Sequence, residues 1–251
     1  MMQFSLIEQI ALAIFLLSGI SFFLYHLLLR LKIVLKGKSD FSIDQLPKRI
    51  ARVFDEVILH KKVASGKRKS AGILHALVMY GFIFFGLITI NHFGMAFGLP
   101  IFSDSIRHTY FLFFGAPWAI LCSIGILGLA YRRFVIKPEA LGKFSSTSAI
   151  VSVFIVTLMA TYLIDEFHIL SGAAEKFNWW LHSGVIGGFL FLIPQSKHMH
   201  LVLSPFNIFL RPFEVPSHGA IPIDMEASEE ELDNLLLDLS RLSKDQALDI
   251  F

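Results

Sequence analysis

An all-α integral membrane protein, a bundle of five transmembrane helices, is the fold class this sequence predicts, on three observations. Of its 251 residues 55% are hydrophobic and only 17% are charged, too little polar surface for a soluble chain of this length. Five apolar runs reach the roughly 20 residues that cross a ~30 Å hydrocarbon core. Basic residues collect in alternate connections between those runs, as they do on the cytoplasmic side of a membrane.

The first run, residues 7–30, is longer than a signal-peptide core and carries Glu8 in place of a basic leader, so it reads as a retained helix. A basic stretch over 31–70 follows, with Lys32, Lys36, Lys38, Lys48, Arg49, Arg52, Lys61, Lys62, Lys67, Arg68 and Lys69. Inside it Ile50, Val53, Phe54, Val57 and Ile58 recur at helical spacing. That pattern predicts an amphipathic helix over 43–59, its basic face on anionic headgroups or docked on a partner. The remaining runs are 71–93, 109–131, 147–169 and 177–197. Arg132, Arg133, Lys137 and Lys143 join the third to the fourth, whereas 93–108 has Arg107 alone and 165–176 one lysine against three acids. The N-terminus is therefore expected outside and the C-terminus inside, in the cytoplasmic (inner) membrane of the cell. The membrane domain is placed at 1–204 and a cytoplasmic tail at 205–251. In the tail, Pro205, Pro212, Pro216 and Pro222 precede an acidic helix capped by Ser228 and Glu231, with Leu232, Leu235, Leu236 and Leu239 on its apolar face. That helix pattern is still running at Phe251, which suggests a tail made to meet another domain.

The lone cysteine, Cys122, excludes a disulfide framework, a Cys-rich zinc site and an iron–sulfur cluster held by this chain alone. No nucleic-acid partner is expected. Few charges interrupt the runs and no inverted repeat is evident, which ranks a transporter last.

Ionisable residues inside a membrane segment are functional candidates because they are costly there. His75 lies one turn into the second helix from the cytoplasmic side, and His92 near that helix's outer end. His182 lies near the outer end of the fifth helix, and His200 at or just past its inner end. His182 and His200 are 18 residues apart, five whole turns, hence on one face and about 27 Å apart in depth. Since the two helices run in opposite senses, His75 should meet His200 at the cytoplasmic level and His92 should meet His182 at the outer level. Two such pairs suit bis-imidazole ligation of haem b, one haem or two, for electron transfer rather than oxygen chemistry. His75 and His92 stand roughly 100° apart around an ideal helix, and His108 and His168 are alternatives to His92. Gly72, Gly81 and Gly86 on the second helix, and Gly184, Gly187 and Gly188 on the fifth, suit either a flat cofactor or close helix packing. Lys197 and Arg211 are candidate partners of haem propionates, as is His198, which alternatively meets lipid phosphate. Tyr80 is a candidate for a quinone oxygen, with helix packing the more ordinary role. His26, near the inner end of the first helix, is expected to face headgroups, and His60 and His218 receive no role.

From Trp179-Trp180-Leu181-His182 through Pro194, Ser196, Lys197 and His200, the chain resembles the haem-b membrane (gamma) subunit of respiratory nitrate reductase. More closely it resembles the gamma-like membrane domain of heterodisulfide-reductase-like iron–sulfur proteins of the electron-transferring flavoprotein:quinone oxidoreductase type. The segment Ala71-Gly72-Ile73-Leu74-His75, continuing to Gly81-Phe82, is similar to the family's histidine-bearing helix entrance, and the resemblance covers about residues 1–210. Where the nitrate reductase subunit has its second ligand on this helix the chain has Phe85, and His92 is the natural substitute. The resemblance implies electron exchange between menaquinone and a cytoplasmic iron–sulfur domain or subunit, in some relatives electron-transferring flavoprotein. It also implies a truncated or split form of a longer protein, or a separate iron–sulfur polypeptide. The leading expectation is a cytochrome b-like electron carrier, the membrane subunit or domain of a quinone-linked oxidoreductase. The alternative is a haem-free membrane anchor for a soluble redox enzyme.

Overall fold

The computed structural model describes residues 3–36, 45–59, 61, 69–138, 141, 144–211 and 213, which hold helices and no strand. In chain order they are α1 (Leu6–Lys36), α2 (Leu46–Val53) running on into a π-helical turn (Phe54–Ile58), and α3 (Lys69–Ala96). Then come α4 (Asp104–Ile136), α5 (Ser146–Glu166), α6 (Gly172–Leu192) and α7 (His200–Leu210). Four helices are long and apolar enough to cross a membrane: Leu6–Lys32, Lys69–Ala96, Asp104–Ile136 and Ser146–Glu166. The run expected as a fifth span becomes the 21-residue α6. Glu175, Lys176, Asn178, His182 and Ser183 make it more polar than the other four.

The chain divides into two compact units. The first comprises Met1–Gly19 and Lys62–Phe189. In it α3 packs along α4, and α4 along α5. Small residues allow the close approach: a Cβ on Gly125 would stand 2.7 Å from the Leu74 carbonyl oxygen, and one on Gly81 2.8 Å from Cys122 Sγ. Gly187 and Gly188 likewise lie under the rings of Phe15 and Phe154. These glycines serve helix packing, the plainer of the two readings above. The helix ends at one level of this unit are tied by polar side chains. Asn91 Oδ1 accepts from Ile101 N (2.9 Å) and Phe102 N (3.1 Å), Gln9 Nε2 donates to Ala96 O (2.9 Å), and Lys176 pairs with Glu8 (2.7 Å). Arg107 grips Glu166 through both carboxylate oxygens (2.9 and 3.0 Å).

The second unit comprises Ile20–Lys61 and Leu190–Phe251. Two findings correct the sequence reading here. First, the five unbroken turns assumed between His182 and His200 are absent. Helix α6 stops at Leu192, 3-10 turns occupy Ile193–Gln195 and Lys197–Met199, and Ser196 is extended (φ −129°, ψ 168°) before α7 begins at His200. Pro194 is the physical reason, since it has no N–H to continue the ladder and its ring crowds the preceding turn. Second, the arginines of α2 are turned inward rather than toward headgroups. Arg49, 3% exposed, donates to the carbonyls of Phe209, Leu210 and Arg211 (2.9–3.2 Å). Arg52 lies over the Phe213 ring (3.7 Å) and also donates to Arg211 O, while Arg211 pairs with Glu56. The last carbonyls of a helix have no partner within it and carry the negative end of its dipole, which draws guanidinium groups inward. The outward side of α2 presents Leu46, Ile50 and Phe54. Helix α7 continues through Pro205 to Leu210, crossing the boundary placed at 204. The acidic helix expected after Ser228 lies outside the described residues.

Candidate functional site

Helix α3 carries His92 in its last two turns, and α6 carries His182 near its middle. Within the first unit the two rings meet, with centroids 4.9 Å apart and planes inclined by 56°. Both are buried, at 8% and 9% exposure. Trp179, one turn before His182 on α6, stacks on His92 at 4.6 Å and 15°. The Trp179 indole belongs in turn to a small core with Leu12 and Ala96, flanked by Phe4, Leu16, Phe93 and Trp180. That core fixes the ring against which His92 lies.

Buried imidazole nitrogens need partners, because an unsatisfied polar group away from water is costly. His92 Nε2 lies 2.9 Å from Ser183 Oγ, and His182 Nδ1 lies 2.7 Å from Thr161 Oγ1 on α5. Asn178, one turn before His182, donates to the Thr161 carbonyl at 2.9 Å. Three helices therefore converge on the pair. Sequence reasoning reached the two histidines but not Thr161, Asn178 or Ser183. Their available signal was polar residues inside apolar helices, two of them flanking His182.

A cavity of ≈ 30 Å³ adjoins the pair, lined by Asn91, His92, Thr161, Tyr162, Glu166 and His182 among others. It has room for roughly two waters. The donor chemistry of the pair suits haem iron: two buried imidazoles, one with its Nδ1 already held. The spacing differs. Metal–nitrogen bonds of about 2 Å on each side put two ligating rings roughly 6 Å apart between centroids, wider than the 4.9 Å found here. The ligated and described arrangements thus differ at His92, whose Nε2 is taken by Ser183. Among the described residues no group of three or more His, Cys, Asp or Glu side chains is arranged around a metal position.

The other expected residues are placed as follows. His75 is partly buried on α3 in the first unit, whereas His200 is exposed at the start of α7 in the second. His200 Nδ1 donates to Lys197 O at 2.8 Å, and His198 Nδ1 lies 3.2 Å from Ser196 Oγ. His108 and His168 are exposed, and His168 has φ 50°, the left-handed residue that closes the turn after α5. His26 donates from Nδ1 to Phe22 O at 3.0 Å. Tyr80 packs on Trp118 between α3 and α4 (5.7 Å). Lys197 is exposed and Arg211 is paired with Glu56. His60 and His218 lie outside the described residues.

Two curated relatives place this geometry in context. The probable iron-sulfur-binding oxidoreductase FadF of Bacillus subtilis (strain 168) is 30% identical over 224 residues, covering 76% of this chain and 31% of that protein. The EtfAB:quinone oxidoreductase of Syntrophomonas wolfei subsp. wolfei is 22% identical over 262 residues, covering 86% of this chain and 35% of that protein. The chain thus spans about a third of the length of these relatives. No family model matches the chain, and no solved structure matches it. The similarities relate this membrane-type helical chain to iron–sulfur-binding and quinone-linked oxidoreductases.

Proposed function

We propose that the chain is the membrane electron-transfer module of a quinone-linked oxidoreductase, exchanging electrons between menaquinone and a cytoplasmic iron–sulfur or flavoprotein partner. In this reading α6 is the fifth span and the N-terminus faces outward, as the basic residues of the connections favour. The observation that carries the proposal is the buried His92–His182 contact, in a chain similar over most of its length to oxidoreductases of this kind. A buried pair of imidazoles in a membrane helix bundle is a costly arrangement, and hence a functional candidate. The proposed haem-b ligands are His92 and His182 at the outer level, with His75 and His200 as the candidate ligands at the inner level. Haem, when bound this way, supplies one-electron chemistry at an iron with no open coordination position.

The remaining work belongs to the chain's own residues. His182 is held in orientation by Thr161, and the Trp179 core fixes the ring that stacks on His92. The Arg107–Glu166 ion pair lines the neighbouring polar pocket. The second reading is a haem-free anchor for a soluble redox enzyme, in which the hydroxyl partners of the two histidines complete the site. Reconstitution in liposomes separates the two. A quinol added to the oxidised protein should reduce haem bands in the electron-carrier reading, whereas an anchor shows no such bands.

A further inference from the structure

Thr161 is the residue of this site whose chemistry is most constrained. Its hydroxyl has one proton and three neighbours: Thr157 O at 2.7 Å, Leu158 O at 3.1 Å and His182 Nδ1 at 2.7 Å. The two carbonyls can only accept, so they claim the hydroxyl proton, as a helical threonine commonly allows by bonding back to the preceding turn. The oxygen then has lone pairs to offer and no proton left for the ring. His182 Nδ1 must therefore be the protonated nitrogen, donating to Thr161, and Nε2 carries the lone pair.

The geometry points to Thr161 as a positioning residue that fixes the tautomer of His182 and presents its Nε2 as the nitrogen free to bind a metal. Asn178 supports this arrangement by donating to the Thr161 carbonyl at 2.9 Å, which fastens α5 to α6 one turn from His182. Ser183 differs from Thr161: among the described residues its hydroxyl bonds only with His92 Nε2. It leaves the tautomer of His92 open while occupying the nitrogen that ligation would use. The two hydroxyls thus act in opposite senses, one favouring a ligating histidine and one competing with it. The metal-binding consequence rests on the electron-carrier reading, whereas the tautomer does not.

The test compares wild type, Thr161→Ser and Thr161→Val, all ¹⁵N-labelled at histidine and studied in lipid after dithionite reduction, with His182→Ala used to assign the ring. Wild type and Thr161→Ser should show a protonated, hydrogen-bonded Nδ1 at His182, and Thr161→Val should lose that hydrogen-bonded signature. Haem affinity should fall about 10- to 100-fold in Thr161→Val, the usual effect of removing such an outer partner, and return in Thr161→Ser. The midpoint potential should rise in Thr161→Val, since a ring that donates less is a less basic ligand. An Nε2–H tautomer at His182 in wild type overturns the inference even if Thr161→Val does not fold. An unchanged ring resonance in Thr161→Val also overturns it. Wild type without haem bands defeats the electron-carrier reading, and the ring resonances of that same haem-free protein still decide the role of Thr161.

Discussion

The imidazoles of His92 and His182 stand with centroids 4.9 Å apart in the buried interior of the first unit. They contact each other directly, and each spends one nitrogen on a hydroxyl from α5 or α6. This makes a site that is complete in itself and that differs from a ligating pair in its ring spacing and in the hydrogen bond between His92 and Ser183.

That difference yields a prediction for Ser183, which is fully buried. Ser183→Ala removes the partner of His92 Nε2 and leaves a buried nitrogen unsatisfied in haem-free protein, at a cost of about 1–3 kcal/mol. Iron would satisfy the same nitrogen. Haem affinity should therefore rise in Ser183→Ala while the haem-free protein melts at a lower temperature. Haem titration of the depleted protein, together with its thermal melt, checks both halves.

Glycines at the α3–α4 contact should tolerate nothing larger. Gly125→Ala would drive a methyl to 2.7 Å from the Leu74 carbonyl oxygen, backbone that cannot yield without shifting α3. A loss of about 1–3 kcal/mol is expected, as for overpacking elsewhere. Gly86→Ala meets nothing within 4 Å, and helix propensity favours alanine by up to about 1 kcal/mol. Thermal unfolding of the two variants in detergent should move in opposite directions.

Arg49 offers a test of the second unit. Its guanidinium serves three carbonyls at the end of α7 and is 3% exposed. Arg49→Met keeps the aliphatic stem but removes the donors, uncapping α7 at a cost of about 1–3 kcal/mol. Amide exchange over the last turn of α7 should accelerate in this variant. In Ile50→Ser, on the exposed side of α2, it should not.

Much of this was legible in the sequence, for reasons that particular residues show. The four most apolar helices follow from runs with few interrupting charges, where the cost of burying a charge in lipid leaves a clear pattern. The likeness to iron–sulfur and quinone-linked oxidoreductases was legible at the segment from Trp179 to His200. The antiparallel sense of α3 and α6 was enough to expect His92 and His182 at one level. Thr161 was not legible, because a threonine in an apolar helix reads equally well as bonded to its own backbone, and here it does that and more. The inward turn of Arg49 and Arg52 escaped because charge on an amphipathic helix reads as a surface feature. What reverses it is the end of α7, about 160 residues further along, whose carbonyls need donors. The interruption at Pro194 escaped because a regular 18-residue spacing was read as continuous helix although it contained a proline.

The most direct measurement is a reduced-minus-oxidised spectrum of the purified chain with haem quantified, repeated on His182→Ala, His92→Ala, His75→Ala and His200→Ala. The electron-carrier account predicts b-type bands in wild type, with haem content reduced in His182→Ala. Wild type without bands, or all four variants retaining full haem, would contradict it.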